Sequence, residues 1–289
     1  MSDDILKPVG ALSAPSLVSI DGRSADLVEV TDRGLHYGDG LFETVLIQDG
    51  RPCQWSRHRD RLHLGARNLG VPLRSPDDLG DQVLALAKGV EAGVLKILVT
   101  RGSGGRGYRP SADPCPRRVL LLYPLAEDFS RFREQGIRVR YCRTPSSLNP
   151  ALAGMKHLNR LDSVLARREW DDPSIAEGLM LDPSGLLIGG TMTNLFLWDG
   201  GCLRTPPVDR AGIAGTRRGL ALELAGAFGL RTRVEPIEPR ELEAARGIFL
   251  TNAVAGVWPV HALDGLTYPP DGLPWDFLRE LWRLGRRPG

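Results

Sequence analysis

The sequence predicts an α+β fold in two subdomains, on three observations. Its 289 residues exceed the common size of a single domain. Apolar runs joined by Asp-Gly turns, at Asp21-Gly22 and Asp49-Gly50, read as antiparallel hairpins. Segments with helix-start and glycine-stop signals lie among them. A boundary near Phe129 divides the chain into 1–128, an N-terminal α/β subdomain, and 129–289, a C-terminal subdomain that carries the candidate catalytic lysine and most of its binding site.

In order, Leu17 to Ile20 and Asp26 to Val30 flank the first turn, and Leu41 to Gln48 runs into the second. Between them Asp32-Arg33-Gly34-Leu35-His36-Tyr37-Gly38-Asp39-Gly40 is a polar, glycine-punctuated loop, either functional or a connector. Ser56 is the expected cap of a helix that Gly70 ends, and Ser75-Pro76-Asp77-Asp78 starts another that runs to Ala87. Val94 to Thr100 and Arg118 to Tyr123 read as strands, followed by a polar helical piece and a strand at Ile137 to Tyr141. Leu158, Leu161, Val164 and Leu165 recur at helical spacing, so an amphipathic helix is expected there, with Lys156 in or just before its first turn. Pro183-Ser184-Gly185 joins Gly178–Leu181 to Leu186–Ile188 as a hairpin. Strands follow at Leu195–Trp198 and Ile248–Leu250, with a helix opening at Gly212–Arg218 and running through Ala227.

Composition removes several functional classes. Apolar residues make up 42% and charged residues 25%, ordinary for a globular protein. The 37 basic residues, mostly arginine, are interspersed with 35 acids, so no basic stripe points to nucleic acid. Cys53, Cys115, Cys142 and Cys202 are far apart and show no metal-ligand spacing, which argues for a reducing compartment and no metal. The N-terminus has no leader pattern and no apolar run approaches a membrane span, so a cytoplasmic protein is expected.

Three stretches are candidates for chemistry. In Gly154-Met155-Lys156-His157-Leu158-Asn159-Arg160-Leu161, a lysine precedes the helical repeat, where partial burial and a cationic neighbour would favour the neutral, nucleophilic amine. The bland alternative is a solvated surface lysine. Arg101-Gly102-Ser103-Gly104-Gly105-Arg106-Gly107-Tyr108-Arg109-Pro110 is a glycine- and arginine-rich loop suited to an anion, or else a flexible surface hairpin; it lacks the ending of a nucleotide-binding P-loop. Gly212-Ile213-Ala214-Gly215-Thr216 opens a helix in the manner that cradles a phosphate, or is a glycine-capped structural helix.

Taken together, Arg33–Thr44, His58-x-x-Arg61-Leu62, Gly154–Leu161, Thr191–Phe196, Gly212–Arg217 and Thr251–Val260 resemble the fold type IV pyridoxal-phosphate enzymes, the class IV aminotransferase group, in the right order over nearly the whole chain. The resemblance implies a D-amino-acid-aminotransferase-like fold, a homodimer and pyridoxal 5'-phosphate as cofactor. It assigns Lys156 as the catalytic lysine that holds the cofactor and moves protons. Arg61, Gly215, Thr216, Asn252 and Ala253 would bind the phosphate, and Asn159 would bond near the ring oxygen. Tyr37-Gly38-Asp39-Gly40, the Arg101–Tyr108 loop and the Lys156 segment are most similar to the lyase branch, whose small-molecule substrate is 4-amino-4-deoxychorismate. In that branch Thr44 would lie near the cofactor face, with Arg106 and Tyr108 holding a substrate carboxylate. The implied products are 4-aminobenzoate and pyruvate; the alternatives are an aminotransferase of branched-chain or D-amino acids and a cofactor-binding protein with little turnover.

Two departures from the group favour the lyase branch. Leu161 stands where aminotransferases often carry a tyrosine. Gly189, five residues before Asn194, stands where a glutamate usually pairs with the pyridine nitrogen, and its absence weakens the electron sink that transamination depends on.

Overall fold

The computed structural model describes residues 14–73, 76–125 and 129–288. Two compact units emerge, one of Ser13–Leu125, Met155–Arg160 and Arg286–Gly289, the other of Ala126–Gly154 and Leu161–Gly285.

The first unit contains β1 (Leu17–Ile20), β2 (Arg23–Ser24), α1 (Arg33–Tyr37), β3 (Gly40–Gln48), β4 (Arg51–Pro52), α2 (Trp55–Leu69), α3 (Pro76–Ala87), β5 (Ala92–Thr100) and β6 (Arg117–Pro124). Its sheet has the order β2-β1-β6-β5-β3-β4, antiparallel throughout. Both Asp-Gly turns form as expected, with φ of 51° and 80° at Asp21 and Gly22 and of 50° and 74° at Asp49 and Gly50. That doubly left-handed backbone matches the twist of a hairpin. The strand expected at Asp26–Val30 does not form, because the hairpin closes after Ser24 and Leu27, Val28 and Val30 remain exposed with no face to bury. Within the Asp32–Gly40 segment the structure adds the short helix α1, capped by the Asp32 carboxylate on Gly34 N at 2.7 Å and stopped by Gly38 at φ 63°. Ser56 is not the cap of α2. That position falls to Gln54, in left-handed backbone, and Ser56 lies inside the helix, which Gly70 ends as expected. Ser75, the expected cap of α3, lies outside the described residues.

Strand β3 also explains where the lysine segment goes. Phe42 N donates to the Lys156 carbonyl at 2.9 Å and Leu158 N to the Gly40 carbonyl at 3.0 Å, so residues 156–158 pair with the free edge of β3. The chain divides after Leu125, and Met155–Arg160, with Lys156, belong to the first unit.

The second unit contains α4 (Ser130–Gln135), β7 (Ile137–Tyr141), α5 (Leu161–Arg167), β8 (Ile175–Leu181), β9 (Leu187–Gly190), β10 (Asn194–Trp198), β11 (Cys202–Thr205), α6 (Thr216–Ala227), β12 (Arg231–Val234), α7 (Pro239–Glu243), β13 (Gly247–Asn252), β14 (Gly256–Leu263), β15 (Leu266–Thr267) and α8 (Trp275–Gly285). The strands form one mixed sheet, β12-β11-β10-β13-β14-β7-β8-β9 with β15 on β14. Alternation along β10 and β13 builds a core on each face. Leu195, Leu197, Ile248 and Leu250 join Trp258 and Leu242 of α7 on one side. Phe196 and Phe249, stacked at 5.0 Å, join Ala221 of α6 and Phe277 of α8 on the other. The helix expected from the Leu158–Leu165 repeat begins only at Leu161, and its apolar face is not buried. Leu161 is 74% exposed and Val164 and Leu165 about half, while Ala166 alone is buried.

Candidate active site

In the first unit the site is built on β3. Leu41, Glu43, Val45 and Ile47 share the buried phase of the strand, which places a fully buried carboxylate among aliphatic side chains. Helix α2 satisfies it. His58 Nδ1 lies 2.6 Å from Glu43 Oε2, and Arg61 donates Nε to Oε1 at 2.7 Å and Nη2 to Oε2 at 2.5 Å. Burial alone would raise the carboxyl pKa, but the Arg61 guanidinium and the His58 contact hold it at about 2. Burial lowers the His58 pKa more than Glu43 raises it, so the ring is neutral at pH 7 and its Nδ1–H donates. Arg61 is therefore a preoriented cation, fixed by a bidentate bridge.

Phe42, on the other phase of β3, lies under Lys156, whose Nζ is 4.1 Å from the ring centroid. Thr44 shares that phase and pairs with Lys96, whose Nζ is 5.8 Å from the same ring. Lys156 as a whole is half-buried, but its amine is enclosed by protein. Desolvation first, and then the Arg61 guanidinium, pull its pKa down to about 7 against the opposite pull of Glu43. An amine near 7 is neutral for much of the time at physiological pH, as a carbonyl nucleophile must be. Asn159 is exposed and donates Nδ2 to the Gly38 carbonyl at 3.2 Å.

The substrate-loop candidates belong to this unit too. Arg106 and Tyr108 are exposed on the β5–β6 connection, where the Tyr108 ring meets Tyr37 edge-on at 5.5 Å.

In the second unit three connections converge at the start of α6. Asn194 opens β10 and donates Nδ2 to the Ile213 carbonyl at 2.9 Å. A Cβ on Gly215 would lie 1.9 Å from Asn194 Oδ1, so glycine is required there. Arg217, in the first turn, reaches the Ala253 carbonyl at 3.3 Å and the Leu281 carbonyl at 3.1 Å, which ties the 252–254 turn to the helix. Asn252 folds that turn by accepting from Val254 N at 3.0 Å and Ala255 N at 2.7 Å. Gly154, two residues before Lys156, is bonded to Gly212 and Ala214. Arg217 thus links the helix start that holds Gly215 and Thr216 to the turn that holds Asn252 and Ala253.

The same place fits a phosphate. Gly215 caps α6 without a side chain, leaving the first-turn N–H groups with no side-chain acceptor. Thr251, opposite Asn194 across β10 and β13, buries a hydroxyl that has no hydrogen-bond partner among the described residues. Cross-strand partners share a face, so that hydroxyl lies on the Asn194 side of the sheet.

Sequence reasoning missed Glu43, Thr251 and Glu177. Glu43 had a legible signal, a charged residue in phase with Leu41, Val45 and Ile47. Glu177, fully buried on β8, accepts from Gly178 N at 2.9 Å, Thr191 N at 3.1 Å, Met192 N at 3.1 Å and Thr193 Oγ1 at 3.1 Å, and also from the Thr191 hydroxyl. It organises the turn between β9 and β10, which follows directly on Gly189 and Gly190 at the end of β9. At Gly189 itself φ is 153°, and an added Cβ would lie 2.8 Å from the Thr193 carbonyl.

The two-unit α+β fold is that of the fold type IV aminotransferase-like proteins. The chain belongs to the amino-transferase class IV family, whose profile matches residues 40–263. It is 30% identical to an aminodeoxychorismate lyase of Vibrio harveyi over 85% of this chain and 90% of that one. It is 32% identical to a putative branched-chain-amino-acid aminotransferase of Methanocaldococcus jannaschii over 82% and 83%. The structure of a 4-amino-4-deoxychorismate lyase from Pseudomonas aeruginosa superposes with a TM-score of 0.87 at 43% identity, covering 92% of this chain and 96% of that one.

Proposed function

We propose that this protein is a pyridoxal-phosphate lyase that converts 4-amino-4-deoxychorismate to 4-aminobenzoate and pyruvate, a step towards folate. The observation that carries the reading is the Lys156 amine, brought to about 7 by its enclosure and by Arg61. The 43% identity to a lyase of known structure supports the choice of substrate.

Lys156 would hold the cofactor, with Arg61, Gly215, Thr216, Asn252 and Ala253 on its phosphate and Asn159 near its ring oxygen. The bound cofactor supplies an electron-withdrawing ring that loosens the substrate C4–H bond. Lys156 Nζ takes the C4 proton and returns one to the departing enolpyruvyl carbon, so the fragment leaves as pyruvate while the six-membered ring becomes aromatic. Atoms balance without water or an oxidant. Thr44, Arg106 and Tyr108 would orient the substrate, whose two carboxylates suit an arginine fork. Gly189 is compatible with this chemistry because aromatisation supplies driving force that transamination lacks. A cytoplasmic homodimer is the accompanying expectation.

The likeness to the Methanocaldococcus jannaschii protein supports a second reading, amino transfer from branched-chain or D-amino acids. One experiment separates the readings: the cofactor-loaded protein is given 4-amino-4-deoxychorismate and, separately, amino acids with 2-oxoglutarate. The lyase reading requires equimolar 4-aminobenzoate and pyruvate. Amino transfer as fast as pyruvate release, or no pyruvate at all, overturns it.

A further inference from the structure

The Arg101–Pro110 loop reads by composition as mobile, yet it is clamped from below by one buried side chain. Arg33, 4% exposed, uses all three guanidinium nitrogens: Nε on Asp39 Oδ2 at 2.8 Å, Nη1 on the Gly107 carbonyl at 3.0 Å and Nη2 on the Tyr108 carbonyl at 2.8 Å. Its guanidinium also lies 4.9 Å over the Tyr37 ring, the ring that Tyr108 meets edge-on. The loop's stem is held by the same acid. Arg101 donates Nε to Asp39 Oδ2 at 2.8 Å and Nη2 to Asp39 Oδ1 at 3.0 Å, and caps the end of α2 through the Leu69 and Gly70 carbonyls. The backbone adds Arg33 N to Gly102 O at 2.9 Å and Gly104 N to Thr31 O at 3.2 Å.

We infer that Arg33 is a positioning residue for substrate recognition: braced by Asp39, it fixes the loop carbonyls on both sides of Gly107–Tyr108 and so sets where Arg106 presents its charge to a substrate carboxylate. The inference rests on the lyase reading for the identity of the substrate but not for the brace itself. A lysine cannot replace Arg33, since one ammonium does not span an acid and two carbonyls in a planar fork.

Replacing Arg33 risks the fold, but two neighbouring glycines provide a matched test. A Cβ on Gly104 would lie 2.9 Å from Arg33 Cδ and 3.3 Å from Cγ, whereas one on Gly105 would meet nothing within 4 Å. Neither glycine is in left-handed backbone. Because the far end of Arg33 is pinned at three points, Gly104→Ala must displace the brace while Gly105→Ala leaves it alone. The cofactor-loaded parent and both variants are compared by tryptic cleavage at the exposed Arg106–Gly107 bond and by turnover of 4-amino-4-deoxychorismate. Gly104→Ala is expected to be nicked faster and to show KM raised about tenfold, the loss of one charge-assisted hydrogen bond, with kcat within about twofold. Gly105→Ala should match the parent in both. Equal nicking of the two variants overturns the brace. Faster nicking of Gly104→Ala with an unchanged KM overturns the recognition role. A parent that makes no 4-aminobenzoate rejects the lyase reading, and the nicking contrast then decides the brace alone.

Discussion

Desolvation, and then the Arg61 guanidinium beside it, lower the Lys156 pKa to about 7, which couples stability to pH. The folded pKa lies below the ordinary 10.5, so the folded protein binds the proton less tightly than the unfolded chain. The cost is fully present below pH 7, shrinks as pH rises from 7 towards 10.5, and is absent above. Lys156→Met, which keeps the stem and removes the charge, should therefore make the cofactor-free protein more stable at pH 6 and approach the parent by pH 10. Urea titrations across that range measure it; a difference that does not change with pH would mean that the amine is not desolvated. Arg61 carries two duties, holding Glu43 and meeting the phosphate. Arg61→Ala should destabilise the protein by about 3–5 kcal/mol, because it leaves a buried carboxylate without its cation, and should also weaken cofactor retention. Arg106→Ala, on an exposed loop, should alter substrate use with no loss of melting temperature. If Arg106→Ala released the cofactor and Arg61→Ala did not, the two roles would be exchanged.

The strands and connections decide what each site residue can do. Strand β3 offers one face to a buried acid and the other to Phe42 and Thr44, so the two phases of a single element serve the arginine and the lysine. The β9–β10 turn is wrapped around the Glu177 carboxylate, whose pKa burial raises against the pull of its hydrogen-bond donors. That packing makes Gly189→Glu more than an exchange of chemistry. With φ at 153° and a Cβ 2.8 Å from the Thr193 carbonyl, the substitution strains the end of β9 against the turn that follows it. It is expected to cost about 1–3 kcal/mol. Transamination should not appear in its wake. Thermal melting beside both assays is the check, and a variant as stable as the parent that gained amino transfer would refute the steric account.

Each unit leaves apolar side chains in water: Leu27, Val30 and Leu35 in the first, Leu161, Val164 and Leu165 in the second. Exposed apolar groups of this kind are what self-association covers. The protein should therefore sediment as a dimer at micromolar concentration, and a monomer there would remove the expected homodimer. Among the described residues no helix is long and apolar enough to cross a membrane, and all four cysteines are free, three of them buried.

How much could be read in advance depended on range. Asp21-Gly22, Asp49-Gly50 and Gly70 were legible because glycine and its neighbours encode local backbone, and β5, β7, β10 and α6 because their periodicity is local. Gly215 and Thr216 were legible for the same reason, since a helix start is written in adjacent residues. The α5 repeat marked a helix but neither its start at Leu161 nor its exposure, because spacing specifies which residues share a face and not what covers it. The cap of α2 at Gln54 was lost because left-handed backbone there is set by the chain it meets, with Gln54 N donating to the Arg287 carbonyl at 3.0 Å. The sequence by itself determined the Asp-Gly turns and those strands and helices whose pattern is local. Only the tertiary structure placed Lys156 against β3 and set its amine near 7, because desolvation and the charge of Arg61 act through space between residues far apart in the chain.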